Sequence, residues 1–205
     1  YPLFAKPVAE GTSKGINSKS KIADKKELRA VCLDLLARFK QPVLVERYLP
    51  GREFTVGIIG SRADAKSLGV LEVLLNEKAE AGIYSFSNKK NFEDLVKYKV
   101  VKGKLAAECA KVAIKVWRAL ECRDAGRVDI RLDENGIPNF IEVNPLAGLN
   151  PEISDLPILC SLVGMPYQKL ISSILESAVK RIIKPDTRAI KISKKHLSKK
   201  IKWTD

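Results

Sequence analysis

Apolar residues recur along this chain with two different periods. At residues 3–7, 43–48, 54–59 and 68–74 they run together or alternate with polar ones, the mark of strands. Leu28, Val31, Cys32, Leu35, Leu36 and Phe39 recur every three or four residues, so the spacing predicts a helix with Asp24 as its N-cap. Leu105, Cys109, Val112, Val116 and Leu120 predict a second amphipathic helix over 103–121, and Leu170, Ile171, Ile174, Leu175 and Ala178 a last one. Residues 75–100 carry little apolar periodicity and read as one long loop, and 145–157 reads as another. Strands in succession, then a helix, then a strand pair suggest an α+β fold: an antiparallel sheet with helices on one face.

The strand pair holds the most informative residues. Arg127-Val128-Asp129-Ile130-Arg131 and Phe140-Ile141-Glu142-Val143-Asn144 flank the turn Asp133-Glu134-Asn135-Gly136. Side chains alternate across a strand, so Val128, Ile130, Ile141 and Val143 are expected in an apolar layer. Arg127, Asp129, Arg131, Glu142 and Asn144 then share the other face. Asp129, Glu142 and Asn144 would form an all-oxygen cluster of the kind that suits Mg²⁺, with Arg127 beside it as a permanent cation for phosphate or an oxyanion. The alternative for the same residues is a salt-bridge ladder with Arg127 and Arg131.

Composition narrows the field. At 205 residues, 45% hydrophobic and 30% charged, the chain can bury a real core, and no apolar run is long enough to span a bilayer, so no membrane partner is expected. Cys32, Cys109, Cys122 and Cys160 are scattered without a C-x-x-C pair and read as buried thiols of a cytoplasmic protein rather than a disulfide or zinc set. With one histidine, His196, histidine-based triads lack their parts. The net charge of +13 is concentrated: residues 184–205 hold eight Lys/Arg against Asp186 and Asp205, about half of the excess. That basic tail has no interleaved aromatic residues, which weighs against nucleic-acid binding. The chain opens on Tyr1-Pro2 with strand pattern already at Leu3, and its sole methionine is Met165, so a fragment beginning inside a domain is expected.

Weaker signals lie upstream. Glu10-Gly11-Thr12-Ser13-Lys14-Gly15 follows a strand bearing Lys6, and a glycine- and hydroxyl-rich loop can fold over phosphate oxygens, although this is not a Walker A sequence. Glu46 interrupts an apolar strand and Glu53 follows the Gly51 turn; one carboxylate could read a purine amino group and the other ribose hydroxyls. Each has a plainer alternative: a surface turn for 10–15, a solvated strand residue for Lys6 and for Glu46.

Taken in order, Ala5-Lys6-Pro7, the 10–16 loop, Val45-Glu46-Arg47-Tyr48-Leu49-Pro50-Gly51-Arg52-Glu53-Phe54-Thr55-Val56, Gly126-Arg127-Val128-Asp129 and Ile141-Glu142-Val143-Asn144 resemble the later two-thirds of the D-alanine–D-alanine ligases, of the ATP-grasp superfamily. The resemblance implies ATP clasped between two α+β lobes with largely antiparallel sheets. Residues 1–60 would be part of the small lobe, 61–183 the large lobe with the metal and substrate loop, and 184–205 a basic tail. Lys6 would contact phosphates, and the loop with Glu10, Thr12 and Ser13 would close over them. Glu46, the Arg47 backbone and Leu49 would face adenine, Glu53 would hold the ribose, and Lys89 would reach the phosphates. Asp129, Glu142 and Asn144 would bind two Mg²⁺, with Mn²⁺ as the alternative ion. Arg127 and the Gly148 backbone would stabilise an acyl phosphate, and Ser154 would lie near a serine that holds the product carboxylate.

The implied chemistry is that of an ATP-dependent ligase: ATP phosphorylates one D-alanine carboxylate and the amine of a second attacks, as in peptidoglycan precursor synthesis. Such chemistry needs no covalent nucleophile, which agrees with the missing triads. A homodimer is compatible with a full-length parent. Departures are also visible. The family's N-terminal domain has no counterpart, and the substrate loop, usually N-T-x-P-G-x-T, reads Asn144-Pro145-Leu146-Ala147-Gly148-Leu149-Asn150. The alternatives are therefore an ATP-grasp ligase for another amino acid, or a catalytically incompetent nucleotide-binding fragment.

Overall fold

A computed structural model describes residues 1–75 and 96–183; Lys89 and the basic tail 184–205 lie outside these. The class is α+β, as expected, with two antiparallel sheets as the resemblance implied. In the first, β1 (Leu3–Pro7) is central between β2 (Lys21–Ile22) and β3 (Val43–Arg47), all antiparallel. Helix α1 (Lys25–Phe39) covers one face through a small core of Ala5, Ile22 and Leu35. Asp24 caps it as expected, its Oδ1 accepting from the Lys26 and Glu27 amides at 2.8 and 2.9 Å.

The second sheet has the order β6-β5-β4-β7-β8, from β4 (Glu53–Ile59), β5 (Lys66–Leu75), β6 (Val96–Val101), β7 (Ala125–Leu132) and β8 (Pro138–Asn144). Every neighbouring pair is antiparallel. The chain passes from one sheet to the other at residues 48–52, ahead of residue 60. Helix α2 (Lys104–Ala119) packs on one face, burying Cys109, Ala113 and Trp117 against Phe54, Val56, Ile58, Val128 and Ile130. Trp117 Nε1 donates to the Gly60 carbonyl at 3.0 Å, so the largest core side chain keeps its polar atom satisfied. At the edge of this core Arg52 grips Glu72 through Nε at 2.5 Å and Nη2 at 2.7 Å.

Several expectations need correction. Helices cover both faces of this sheet, not one. Helix α3 (Asp155–Leu162) seats Leu159 over Gly57 and Gly69, which face each other in register, and α4 (Tyr167–Ile183) buries Leu170 against α3. A Cβ at Gly57 would stand 2.6 Å from Leu159 Cδ2, so the helix can approach only because that side chain is absent. Helix α3 starts at Asp155, inside the 145–157 stretch read as a loop. Pro157 is its third residue, where the missing N–H has no helical acceptor to lose. Likewise β6 lies within 75–100; its alternation of valine and tyrosine with lysines suits an edge strand but dilutes the apolar signal. Leu36, Leu120 and Leu175, placed on buried faces by periodicity, are exposed.

Candidate active site

The two sheets line one open cavity between them. The first sheet lines it with Phe4, Lys6, Glu46 and Arg47, joined by Ser13 and Ile16 of the 10–16 loop, and the crossing segment adds Tyr48 and Leu49. The second sheet contributes Glu53, Thr55, Val73, Arg127, Asp129, Arg131, Ile141 and Glu142, and α3 contributes Asp155.

Strand register explains the grouping. Phe4 pairs with Glu46 on β3, so Lys6, two residues along β1, shares that face, and its Nζ lies 2.8 Å from Glu46 Oε1. Phe4 stacks on Tyr48 at a centroid distance of 6.4 Å, while Lys21 and Arg131 lie over the Tyr48 ring at 4.6 and 5.8 Å. The upper wall is thus flat, apolar and edged by cations.

On the second sheet, Glu53 pairs in register with Arg131, Thr55 with Asp129 and Gly57 with Arg127. Arg131 reaches Glu53 at 3.2 Å and the Gly51 carbonyl at 3.1 Å. Thr55 Oγ1 donates to Asp129 Oδ1 at 2.8 Å. Across the next pair, Asp129 faces Glu142 and Arg127 faces Asn144. Asn144 Nδ2 donates to both carboxylates, to Asp129 Oδ2 at 3.1 Å and to Glu142 Oε1 at 3.2 Å. Among the described residues no cluster of three His, Cys, Asp or Glu side chains gathers. The candidate metal set is two carboxylates and an amide, held within one hydrogen-bonded knot. Arg127 sits 3.7 Å from Asp129 Oδ2 and forms an ion pair with Asp155, which also accepts from the Tyr98 hydroxyl.

One residue of the strand pair departs from its expected side. Between Asp129–Glu142 and Ile130–Phe140 the register slips, leaving Ile141 unpaired, and Ile141 lines the cavity instead of the core. A bulge re-aims a side chain that strict alternation would bury.

Of the residues singled out in the sequence, Lys6, Ser13, Glu46, Arg47, Leu49, Glu53, Arg127, Asp129 and Glu142 line the cavity, and Asn144 bridges two of them. Glu10 and Thr12 do not line it. Glu10 is bound to Lys14 and to Gln41 Nε2, each at 3.0 Å, and Thr12 donates to the neighbouring Gly11 carbonyl. Gly148 and Ser154 are also off the lining but touch each other, a Cβ on Gly148 falling 2.6 Å from Ser154 Oγ. Thr55, Tyr48 and Asp155 were given no separate role in the sequence. For Asp155 the available signal was its place next to Ser154, in what proves to be a helical first turn.

Residues 1–176 match a family model described as D-ala D-ala ligase C-terminus. A D-alanine–D-alanine ligase of Bordetella petrii is 34% identical over 187 residues, covering 90% of this chain and 54% of the relative. One from Aquifex aeolicus is 32% identical over 176 residues, covering 85% of this chain and 56% of the relative. The chain therefore spans about half the length of the curated relatives it matches. Among solved structures, a D-alanine–D-alanine ligase of Bacillus anthracis complexed with ATP superposes with a TM-score of 0.64 at 25% identity, covering 88% of this chain and 53% of that one.

Proposed function

The chain belongs to the D-alanine–D-alanine ligase family, whose carboxy-terminal part it matches, and from that premise we propose that its natural full-length polypeptide is an ATP- and Mg²⁺-dependent ligase joining two D-alanines. The observation that carries this reading is the cavity itself. It sets a Lys6–Glu46 pair on one sheet opposite an Arg127–Asp129–Glu142 group on the other.

In this reading ATP lies along these walls with adenine at one end and its phosphates at the other. The flat apolar side beside Phe4, Tyr48 and Leu49 suits adenine, with Glu46 and the Arg47 backbone at hand for its edge. Glu53, anchored by Arg131, would take the ribose hydroxyls. Lys6 then meets the phosphates, with Ser13 at the loop that closes over them. Lys89 and Thr12 belong to the same phosphate-facing role by resemblance. The carboxylates of Asp129 and Glu142, with Asn144 turned to present its oxygen, are a hard-oxygen set that fits divalent Mg²⁺ or Mn²⁺. Bound there, the cation would neutralise phosphate charge and hold the γ-phosphoryl group in line.

The remaining steps belong to this chain's own groups. A D-alanine carboxylate oxygen attacks the γ-phosphorus, giving an acyl phosphate and ADP. The amine of a second D-alanine then attacks the acyl carbon, releasing phosphate and one proton. In this reading Arg127 supplies a permanent cation for the developing oxyanion, the Gly148 amide a second donor, and Ser154, which lies against Gly148, a partner for the acceptor carboxylate.

The test is ADP release and dipeptide formation by the full-length polypeptide against a panel of D- and L-amino acids. D-alanine should give both products. ADP release with another amino acid and none with D-alanine would assign the same chemistry to a different substrate. The altered 144–150 loop is the feature that would then explain it.

A further inference from the structure

Asp155 has no part in the roles above, yet its side chain lines the cavity and is only 14% exposed. It is the first residue of α3, immediately after the loop that carries Gly148 and Ser154. Its carboxylate is engaged from two sides: Arg127 of β7 forms an ion pair with it, and Tyr98 of β6 donates its hydroxyl to it. Tyr98 pairs in register with Val73, a lining residue, so β6 presents Tyr98 on the sheet face from which its hydroxyl reaches Asp155. Arg127, whose side chain is 18% exposed, is left between two carboxylates, Asp155 on the loop side and Asp129 on the metal side.

We propose that Asp155, held by Tyr98, is a positioning residue that fixes the Arg127 guanidinium over the reacting group and ties the 145–154 loop to the metal-bearing strand pair. An arginine reached only by Asp129 could swing toward the carboxylates and away from the substrate. A second carboxylate on the opposite side holds the planar fork between them, and arginine's fixed donor geometry makes that restraint directional. Because Asp155 starts a helix seated on Gly57 and Gly69, the restraint has a rigid base. Arg127 and the Gly148–Ser154 pair thereby move as one unit, and a small displacement of such a group is felt in turnover more than in nucleotide binding.

This inference rests on the ligase reading, and its test separates the two. In the natural full-length polypeptide, steady-state ADP release is measured with whichever amino acid supports turnover, for Asp155→Leu, Asp155→Asn and Tyr98→Phe. Asp155→Leu should lower kcat by about tenfold or more while KM for ATP stays within about twofold. Asp155→Asn, which still accepts hydrogen bonds, should recover much of that loss, and Tyr98→Phe should lower kcat by a few-fold. A kcat for Asp155→Leu and Tyr98→Phe within about twofold of the unaltered protein would overturn the proposal. If Asp155→Leu does not fold, the other two variants decide. Phenylglyoxal labelling of Arg127, read by mass spectrometry, supplies a measurement that needs no turnover. Labelling several-fold faster in Asp155→Ala than in Asp155→Asn or the unaltered protein supports the restraint, and an equal rate in all three sinks it. If no amino acid supports ADP release by the unaltered protein, the ligase reading fails, and the labelling still reports whether Asp155 holds Arg127.

Discussion

Thr55 Oγ1 donates to Asp129 Oδ1 at 2.8 Å across the β4–β7 pair, so the carboxylate at the centre of the candidate metal corner is oriented by a hydroxyl on the neighbouring strand. Both residues are buried, Thr55 at 5% and Asp129 at 8% exposure. In such surroundings a lost donor is not replaced freely by water. Asn144 holds the other oxygen of the same carboxylate.

Asp129→Asn and Glu142→Gln should therefore each reduce turnover of the full-length polypeptide by about a hundredfold or more, with circular dichroism and thermal melting little changed. Thr55→Val should weaken Mg-ATP binding and turnover by a smaller factor, and Thr55→Ser should restore them. Isothermal titration and ADP release measure both. Equal activity in Asp129→Asn would return these residues to a salt-bridge ladder.

The Arg52 guanidinium hydrogen-bonds Glu72 and holds its carboxyl below the usual carboxylate range, against the opposing effect of burial. A carboxylate depressed in the folded state stabilises the fold above its unfolded value of about 4.3 and loses that contribution as pH falls through the lower folded value. Melting temperature should fall with acidification in this window. Glu72→Gln should lower stability at neutral pH and flatten the acid slope. Parallel slopes in the two proteins would show that the pair does not govern the acid limb.

Burial pushes the Cys109 thiol up to about 11 and raises those of Cys122 and Cys160. All three should stay protonated and unreactive in the native protein at pH 8, because the thiolate is the reacting form. Cys32, only partly buried on α1, should label first. Ellman's reagent should count one fast thiol before denaturation and the others after it. Rapid native labelling of Cys109 would contradict its place in the α2 core.

Gly57→Ala should destabilise the protein by about 1–3 kcal/mol, because the new methyl meets Leu159 and Leu156 where α3 lies on the sheet. Gly11→Ala, with nothing within 4 Å of the added carbon, is the matched control and should change stability by less than about 0.5 kcal/mol. Equal melting temperatures for the two variants would mean that α3 is not seated there.

Local pattern carried much of the architecture. Asp24 was legible as a cap because capping is a contact between near neighbours, and the strand pair was legible because alternation survives over several residues. Motif order makes Lys6, Glu46, Glu53, Arg127, Asp129 and Glu142 stand out in the sequence, and all six line one cavity. Where a single residue broke the period, the reading went astray. Ile141 changes face at a bulge, the start of α3 lay inside a stretch read as a loop, and β6 was hidden by its lysines.

The sequence by itself determined the α+β class and the family and named the candidate site residues, since each depends on spacing along the chain. Only the tertiary structure decided which of them meet. It brought Thr55 to Asp129 across 74 positions, drew Tyr98, Arg127 and Asp155 from three separate elements into one contact, and left Glu10 and Thr12 outside the cavity lining. Such meetings follow from strand order, register and the seating of α3 on two glycines, and none of these is a periodicity that a linear pattern can carry.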